Sequence, residues 1–77
     1  MKEEIIRIVE RLTDHPGITL QTDLMDEDIL DSLAFLELIE ELEDRFQIEI
    51  QPTQIPAETW RTVVGIAAMV ERYQQHS

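Results

Sequence analysis

Residues Asp31 to Phe46 read DSLAFLELIEELEDRF, and this stretch decides the fold. Phe35, Leu38, Ile39, Leu42 and Phe46 stand at i, i+3, i+4, i+7 and i+11, which puts them on one stripe of an α-helix. Glu37, Glu40, Glu41, Glu43 and Asp44 fall on the opposite face. The helix is predicted to start at Asp31 or Ser32 and to end at Phe46. Either residue suits the N-cap, because a short side-chain oxygen accepts from the free amides of the first turn. Leu33 and Leu36 lie beside Ser32, off the main stripe and one turn apart.

Upstream, residues 14 to 31 form a connection longer than helix–helix links usually are, which points to function. Ile18, Leu20, Leu24, Ile29 and Leu30 punctuate it, and several are expected to be pinned against helices. Before it, Ile5, Ile8, Val9 and Leu12 make an amphipathic helix of Lys2 to Thr13. His15-Pro16-Gly17 ends that helix, because proline cannot continue it and glycine frees the backbone. Downstream, Ile48-Glu49-Ile50 alternates like a strand but has no second strand to pair with, so an extended loop is expected. Pro52 to Thr59 has room for a short helical turn. Thr62 then caps a last helix with Val63, Ile66, Ala67, Val70 and Tyr73 on its inner stripe. The expectation is an all-α fold of three principal helices and a minor one, with residues 1–77 as a single domain.

Seventy-seven residues leave no room for a second core. A chain this short buries only ~60–65% of its unfolded surface and depends on a staple or compact helix packing. Without cysteine, disulfides and thiolate metal sites are excluded, and His15 and His76 alone do not make a zinc site. No apolar run is long enough to span a bilayer, so no membrane insertion is expected. The opening MKEEIIRIVERL lacks the uninterrupted apolar core of a signal peptide. A soluble, cytoplasmic monomer is expected.

The net charge is −11, and its excess is local. Eleven acids and one base, Arg45, lie between Asp23 and Glu49. Nucleic acid is therefore not an expected ligand, since a phosphate backbone needs a basic surface. The alternatives for this charge are a solubilising face and a docking surface for a basic protein partner.

Catalysis finds few residues. Serine occurs only at Ser32 and Ser77, and a serine nucleophile needs a positioned histidine and an orienting acid. His15 stands at a helix stop and His76 at the chain's end. Asp26, Asp28 and Glu37 match three positions of a calcium loop, but Leu30 and Asp31 occupy positions that the loop gives to a ligand and a glycine. No enzymatic activity is expected. Ser32 is different in kind. A hydroxyl at a helix N-terminus is exposed and near the positive end of the dipole, which suits attachment of a phosphodiester. The plain alternative is a cap or first-turn residue.

With Leu24, the ILDSL run of residues 29–33, and the helix LAFLELIEELEDRF followed by QIEI, the chain resembles acyl and peptidyl carrier proteins. The resemblance covers nearly the whole chain, is strongest from Leu24 to Ile50 and is weak over the first helix. It implies a small four-helix bundle with a long first loop and a short third helix. It also implies a covalent 4′-phosphopantetheine, taken from coenzyme A, that carries an acyl or aminoacyl group as a thioester. The attachment serine corresponds to Ser32, the motif acid to Asp31 and the following apolar residue to Leu33. The segment IPAETWRT, residues 55–62, is similar to the tryptophan-containing segment of D-alanyl carriers. Asp28 stands where the family often has glycine, and Val63 where D-alanyl carriers commonly have proline. Cargo and pathway therefore stay open.

The partners implied are a phosphopantetheinyl transferase, an adenylating acyl or aminoacyl ligase and a downstream acyl-accepting or modifying enzyme. Leu33 and Leu36, rimmed by Glu37, Glu40 and Glu41, are the expected docking patch; partial core burial is the alternative for the two leucines. In carriers that shelter long fatty chains, the cargo enters between the helices near this turn. Phe35 is expected to fill that entrance and favour a short cargo. The competing reading is an acidic helical interaction module without a prosthetic group.

Overall fold

The three apolar stripes become three α-helices, α1 at Lys2–Thr13, α2 at Ser32–Phe46 and α3 at Val63–Gln75. The structure is a computed structural model that describes residues 1–26 and 29–75. Asp28, His76 and Ser77, weighed above in the calcium, metal and serine arguments, lie outside the described residues. Among those residues, no helix is long and apolar enough to cross a membrane.

The helices bury the residues their spacing selects. Ile5, Ile8 and Val9 of α1, Leu38, Ile39 and Leu42 of α2, and Val63, Ile66, Ala67 and Val70 of α3 meet in one contiguous core. Met69 joins them, outside the predicted stripe. α1 packs on α2 and on α3, so the bundle closes around α1.

Helix ends follow local chemistry. After α1, Asp14 takes the left-handed conformation at φ 53°, and Gly17 follows at φ 79°. The Glu10 carboxylate then accepts from the amides of Gly17 and Ile18 at 3.0 and 3.1 Å, turning the chain back along the helix it has just left. At the end of α2, Gln47 is left-handed at φ 54°, and its amide donates to the Glu43 carbonyl. The Glu43 carboxylate accepts from the Ile50 amide at 2.9 Å, which secures the extended segment whose Ile48 and Ile50 are buried. Glu43 is thus a structural acceptor and not simply part of the solvated acidic face.

The short third helix takes 3-10 form. Two turns, Pro52–Gln54 and Ala57–Arg61, link α2 to α3. Pro56 precedes the second, and Thr62 ends it in an extended conformation, so the segment is too short to settle into α geometry. The Thr62 hydroxyl accepts from the Gly65 amide at 3.2 Å, the predicted cap. Gly65 has its own reason: a Cβ there would stand 2.6 Å from the Thr59 carbonyl oxygen. Its absence lets the second turn lie directly on α3.

The long first loop is held, as its aliphatics suggest. Ile18 and Leu24 are buried, and Leu20, Ile29 and Leu30 pack against the core. The Leu24 amide donates to the Arg61 carbonyl at 2.7 Å, and the Val64 amide to the Leu20 carbonyl at 3.3 Å. The Arg61 side chain reaches Asp23 at 2.9 Å and Glu58 at 3.3 Å. The hydrogen bond and charge of Asp23, and then the charge of Glu58, hold the guanidinium protonated above its ordinary range.

Candidate functional site

The loop's fixed course delivers residues 29–31 to the start of α2. Asp31 has extended backbone angles, and its carboxylate accepts from the Ala34 amide at 2.8 Å. That contact makes Asp31 the cap. Ser32 is the first helical residue, exposed, and among the described residues its hydroxyl makes no hydrogen bond. The sequence left both residues eligible for capping; the fold gives the task to the acid and leaves the hydroxyl open.

Beside Ser32 lies a cleft of about 420 Å³. Met25 and Leu30 from the first loop, Phe35 from α2, and Pro52, Ile55 and Trp60 from the 3-10 link supply its apolar walls. Trp60 is buried and meets the half-buried Phe35 edge to face, with ring centroids 4.9 Å apart and planes at 86°. Such a pair contributes about 0.5–1.5 kcal/mol beyond the area it buries. The two rings brace α2 against the link at the cleft. Arg61 follows Trp60 and grips Asp23, two residues before Met25, so one side chain ties both rims. Nothing in the local pattern marks this arginine, because its partner Asp23 lies far away along the chain.

Among the described residues, no histidine or lysine lines the cleft, and its one carboxylate, Asp31, is engaged in capping the Ala34 amide. The geometry suits a hydroxyl that receives a group from another protein, not one that attacks a substrate unaided.

The expected docking residues separate into two sets. Leu33 and Leu36 are 66% and 58% exposed, which decides against partial core burial. Met25, 41% exposed, adds to the apolar surface near the same helix start. Glu40 is exposed and Glu37 half-buried. Glu41 is engaged with Arg11 of α1 at 2.9 Å. The acids of α2 are therefore not equivalent: Glu41 serves partly to join two helices.

A model of the family described as the phosphopantetheine attachment site matches residues 3–70. The chain belongs to that family. As a member, the carrier holds an acyl or aminoacyl group on a covalently attached 4′-phosphopantetheine arm, is not itself catalytic, and acts with partner enzymes such as transferases and ligases. It is similar to the D-alanyl carrier protein of Lactococcus lactis subsp. cremoris strain MG1363, with 42% identity over 73 residues and 92% of each chain covered. The D-alanyl carrier proteins of strain SK11 and of Lactococcus lactis subsp. lactis strain IL1403 match with the same identity and coverage. The surroundings of Ser32 fit a phosphodiester-linked arm. The hydroxyl is open, the first-turn amides and helix dipole favour an anion, and an apolar cleft lies alongside. The arm supplies the thiol that this cysteine-free chain lacks.

Proposed function

We propose that Ser32 is the attachment residue, and that the whole chain serves as one carrier domain for a short aminoacyl group, D-alanine being the cargo that the relatives' names suggest. The observation that carries the assignment is the open Ser32 hydroxyl on the first turn of α2, beside a cap supplied by Asp31. A phosphopantetheinyl transferase joins the Ser32 oxygen to the pantetheine-bearing phosphorus of coenzyme A. The pyrophosphate bond breaks, the hydroxyl proton is lost and adenosine bisphosphate leaves. An adenylating ligase then transfers the aminoacyl group to the arm's thiol with release of AMP, and a downstream enzyme accepts it. The cytoplasm, where coenzyme A and ATP are at hand, is the proposed compartment.

The Phe35–Trp60 pair supports a short cargo, because its rings stand where a long chain would have to pass inward. Leu33 and Leu36 form the apolar centre of the docking surface. Glu37 and Glu40 contribute its free charge, and Glu41 lies at its edge toward α1. Steering by exposed charge speeds encounter without a slow release, which suits a carrier that visits several enzymes in turn.

The test is intact mass after incubation with coenzyme A and a phosphopantetheinyl transferase. Wild-type protein is expected to gain one phosphopantetheine and Ser32→Ala none, with the helical circular dichroism of both preserved. A gain that survives in Ser32→Ala moves the attachment elsewhere. No gain in wild type favours an acidic interaction module.

A further inference from the structure

The carboxylate of Asp23 is used twice. Its Oδ1 accepts from the Met25 amide at 3.0 Å, and its Oδ2 accepts from Arg61 Nη1 at 2.9 Å. Arg61 is itself well anchored. It follows the buried Trp60, its carbonyl accepts from the Leu24 amide at 2.7 Å, and its Nε meets Glu58 at 3.3 Å. The planar guanidinium is thus held on two sides. The Leu24 hydrogen bond alone fixes one point of the first loop and leaves rotation about it. The contact between Asp23 and Arg61 supplies a second point, and two points set the direction in which the chain continues. Met25 comes next, exposed, on the rim of the cleft beside Ser32. The Leu30 amide donates to the Leu24 carbonyl at 3.1 Å, so the same anchor also meets the chain as it arrives at Asp31.

We propose that Arg61 is a positioning residue for the loading of Ser32: through Asp23 it holds Met25 in the place where a phosphopantetheinyl transferase meets it. The proposal rests on attachment at Ser32. Arg61 does not line the cleft, so it acts through the loop and not on the hydroxyl. The effect belongs to binding. Asp31 and Ser32 keep their places through the Ala34 cap whether or not the loop is gripped, so the turnover of bound carrier should not change. An exposed ion pair biases a loop by no more than its own strength, so breaking it should raise KM for the carrier about two- to five-fold.

The experiment measures kcat and KM of a phosphopantetheinyl transferase for the full chain, with coenzyme A in excess and attachment read as intact mass. Circular dichroism and thermal unfolding establish that each variant is folded. Arg61→Gln and Asp23→Asn are both expected to raise KM and to leave kcat unchanged. The two together separate the pair from bulk charge. One removes a cation and the other an anion, so steering by a chain of net charge −11 would move them in opposite directions. Arg61→Lys keeps a cation opposite Asp23 and should recover part of the loss. Met25→Ala should raise KM as well, and adding Arg61→Gln to it should change nothing further, because the arginine acts through Met25. Wild-type KM in both Arg61→Gln and Asp23→Asn, or shifts of opposite sign in the two, would overturn the proposal while leaving Ser32 in place. So would a fall in kcat at constant KM, or effects of Arg61→Gln and Met25→Ala that multiply. Absence of mass gain in the wild type removes the attachment reading and this proposal with it.

Discussion

Replacing Asp31 by alanine is expected to cost about 1 kcal/mol of stability, as the loss of an N-cap acceptor does. Replacing Ser32 is expected to cost much less, because its hydroxyl holds no amide of the first turn. Urea denaturation of the two variants checks the difference, and equal losses would show that Ser32 shares the cap. Sequence spacing brought both residues to the helix start. It did not choose between them, since the choice rests on which one has extended backbone angles and can turn its oxygen to Ala34. Glu10 and Glu43 were hidden for a related reason. Their carboxylates meet amides seven or eight residues away along the chain, after turns whose course no helical period specifies. Phe35 carries a second prediction at this scale. Arms loaded with octanoyl and acetyl groups are expected to give similar amide shifts at Ile39 and Leu42, because the Phe35 ring abuts Trp60 instead of leaving a way in. Large shifts at Ile39 and Leu42 with octanoyl alone would show that a long chain is sheltered and that the cargo reading is wrong.

Among the elements, the link between α2 and α3 holds the most consequence in the fewest residues. Trp60 is only 3% exposed, and its ring joins the 3-10 turn to α2 through Phe35. Trp60→Ala is expected to cost about 3–5 kcal/mol, a large share of the ~5–15 kcal/mol that holds a small domain together. Thermal unfolding measures it. An unchanged melting temperature with lost partner docking would move Trp60 to the recognition surface. Gly65→Ala makes a sharper test. Alanine favours a helix interior over glycine by about 1 kcal/mol, so propensity alone predicts a gain. The added Cβ, however, would meet the Thr59 carbonyl at 2.6 Å, and a backbone oxygen cannot swing aside as a side chain can. Overpacking of this kind costs about 1–3 kcal/mol, and a net loss is expected in chemical denaturation. A stabilised Gly65→Ala would mean that the link is not seated on α3 as described. The three α-helices were legible because each carries its own apolar period. A short helical turn after Pro52 was legible as well, but its 3-10 geometry and the need for Gly65 were not, because they arise from contact between two segments that neither encodes alone.

Across the whole molecule, the decisive quantity is charge, which was legible from residue counts, and its availability, which was not. The net charge is −11, with the excess between Asp23 and Glu49. The fold commits some of that charge internally: Arg11 takes Glu41, Arg45 takes Glu4, and Arg61 takes Asp23 and Glu58. Glu37 and Glu40 enter none of these pairs and stand beside the exposed Leu33 and Leu36. Which acids of α2 remain available depends on where α1 crosses it, a tertiary fact that the acidic stripe does not contain. Reversing Glu37 and Glu40 to lysine together is expected to slow association with the transferase or ligase and to flatten its salt dependence. The wild-type rate should fall as salt rises, because exposed charges are screened beyond a Debye length of ~8 Å at physiological ionic strength. Glu41→Lys serves as the contrast. It also removes the pair with Arg11, an exposed interaction worth about 0.2–1 kcal/mol, so part of its effect should appear as lost stability. Rates measured at several salt concentrations, beside denaturation curves for each variant, separate the two contributions. If the Glu37/Glu40 variant matched wild type in rate at every salt concentration, docking would have to rest on the leucines alone, with the acidic surface serving only to keep the chain in solution.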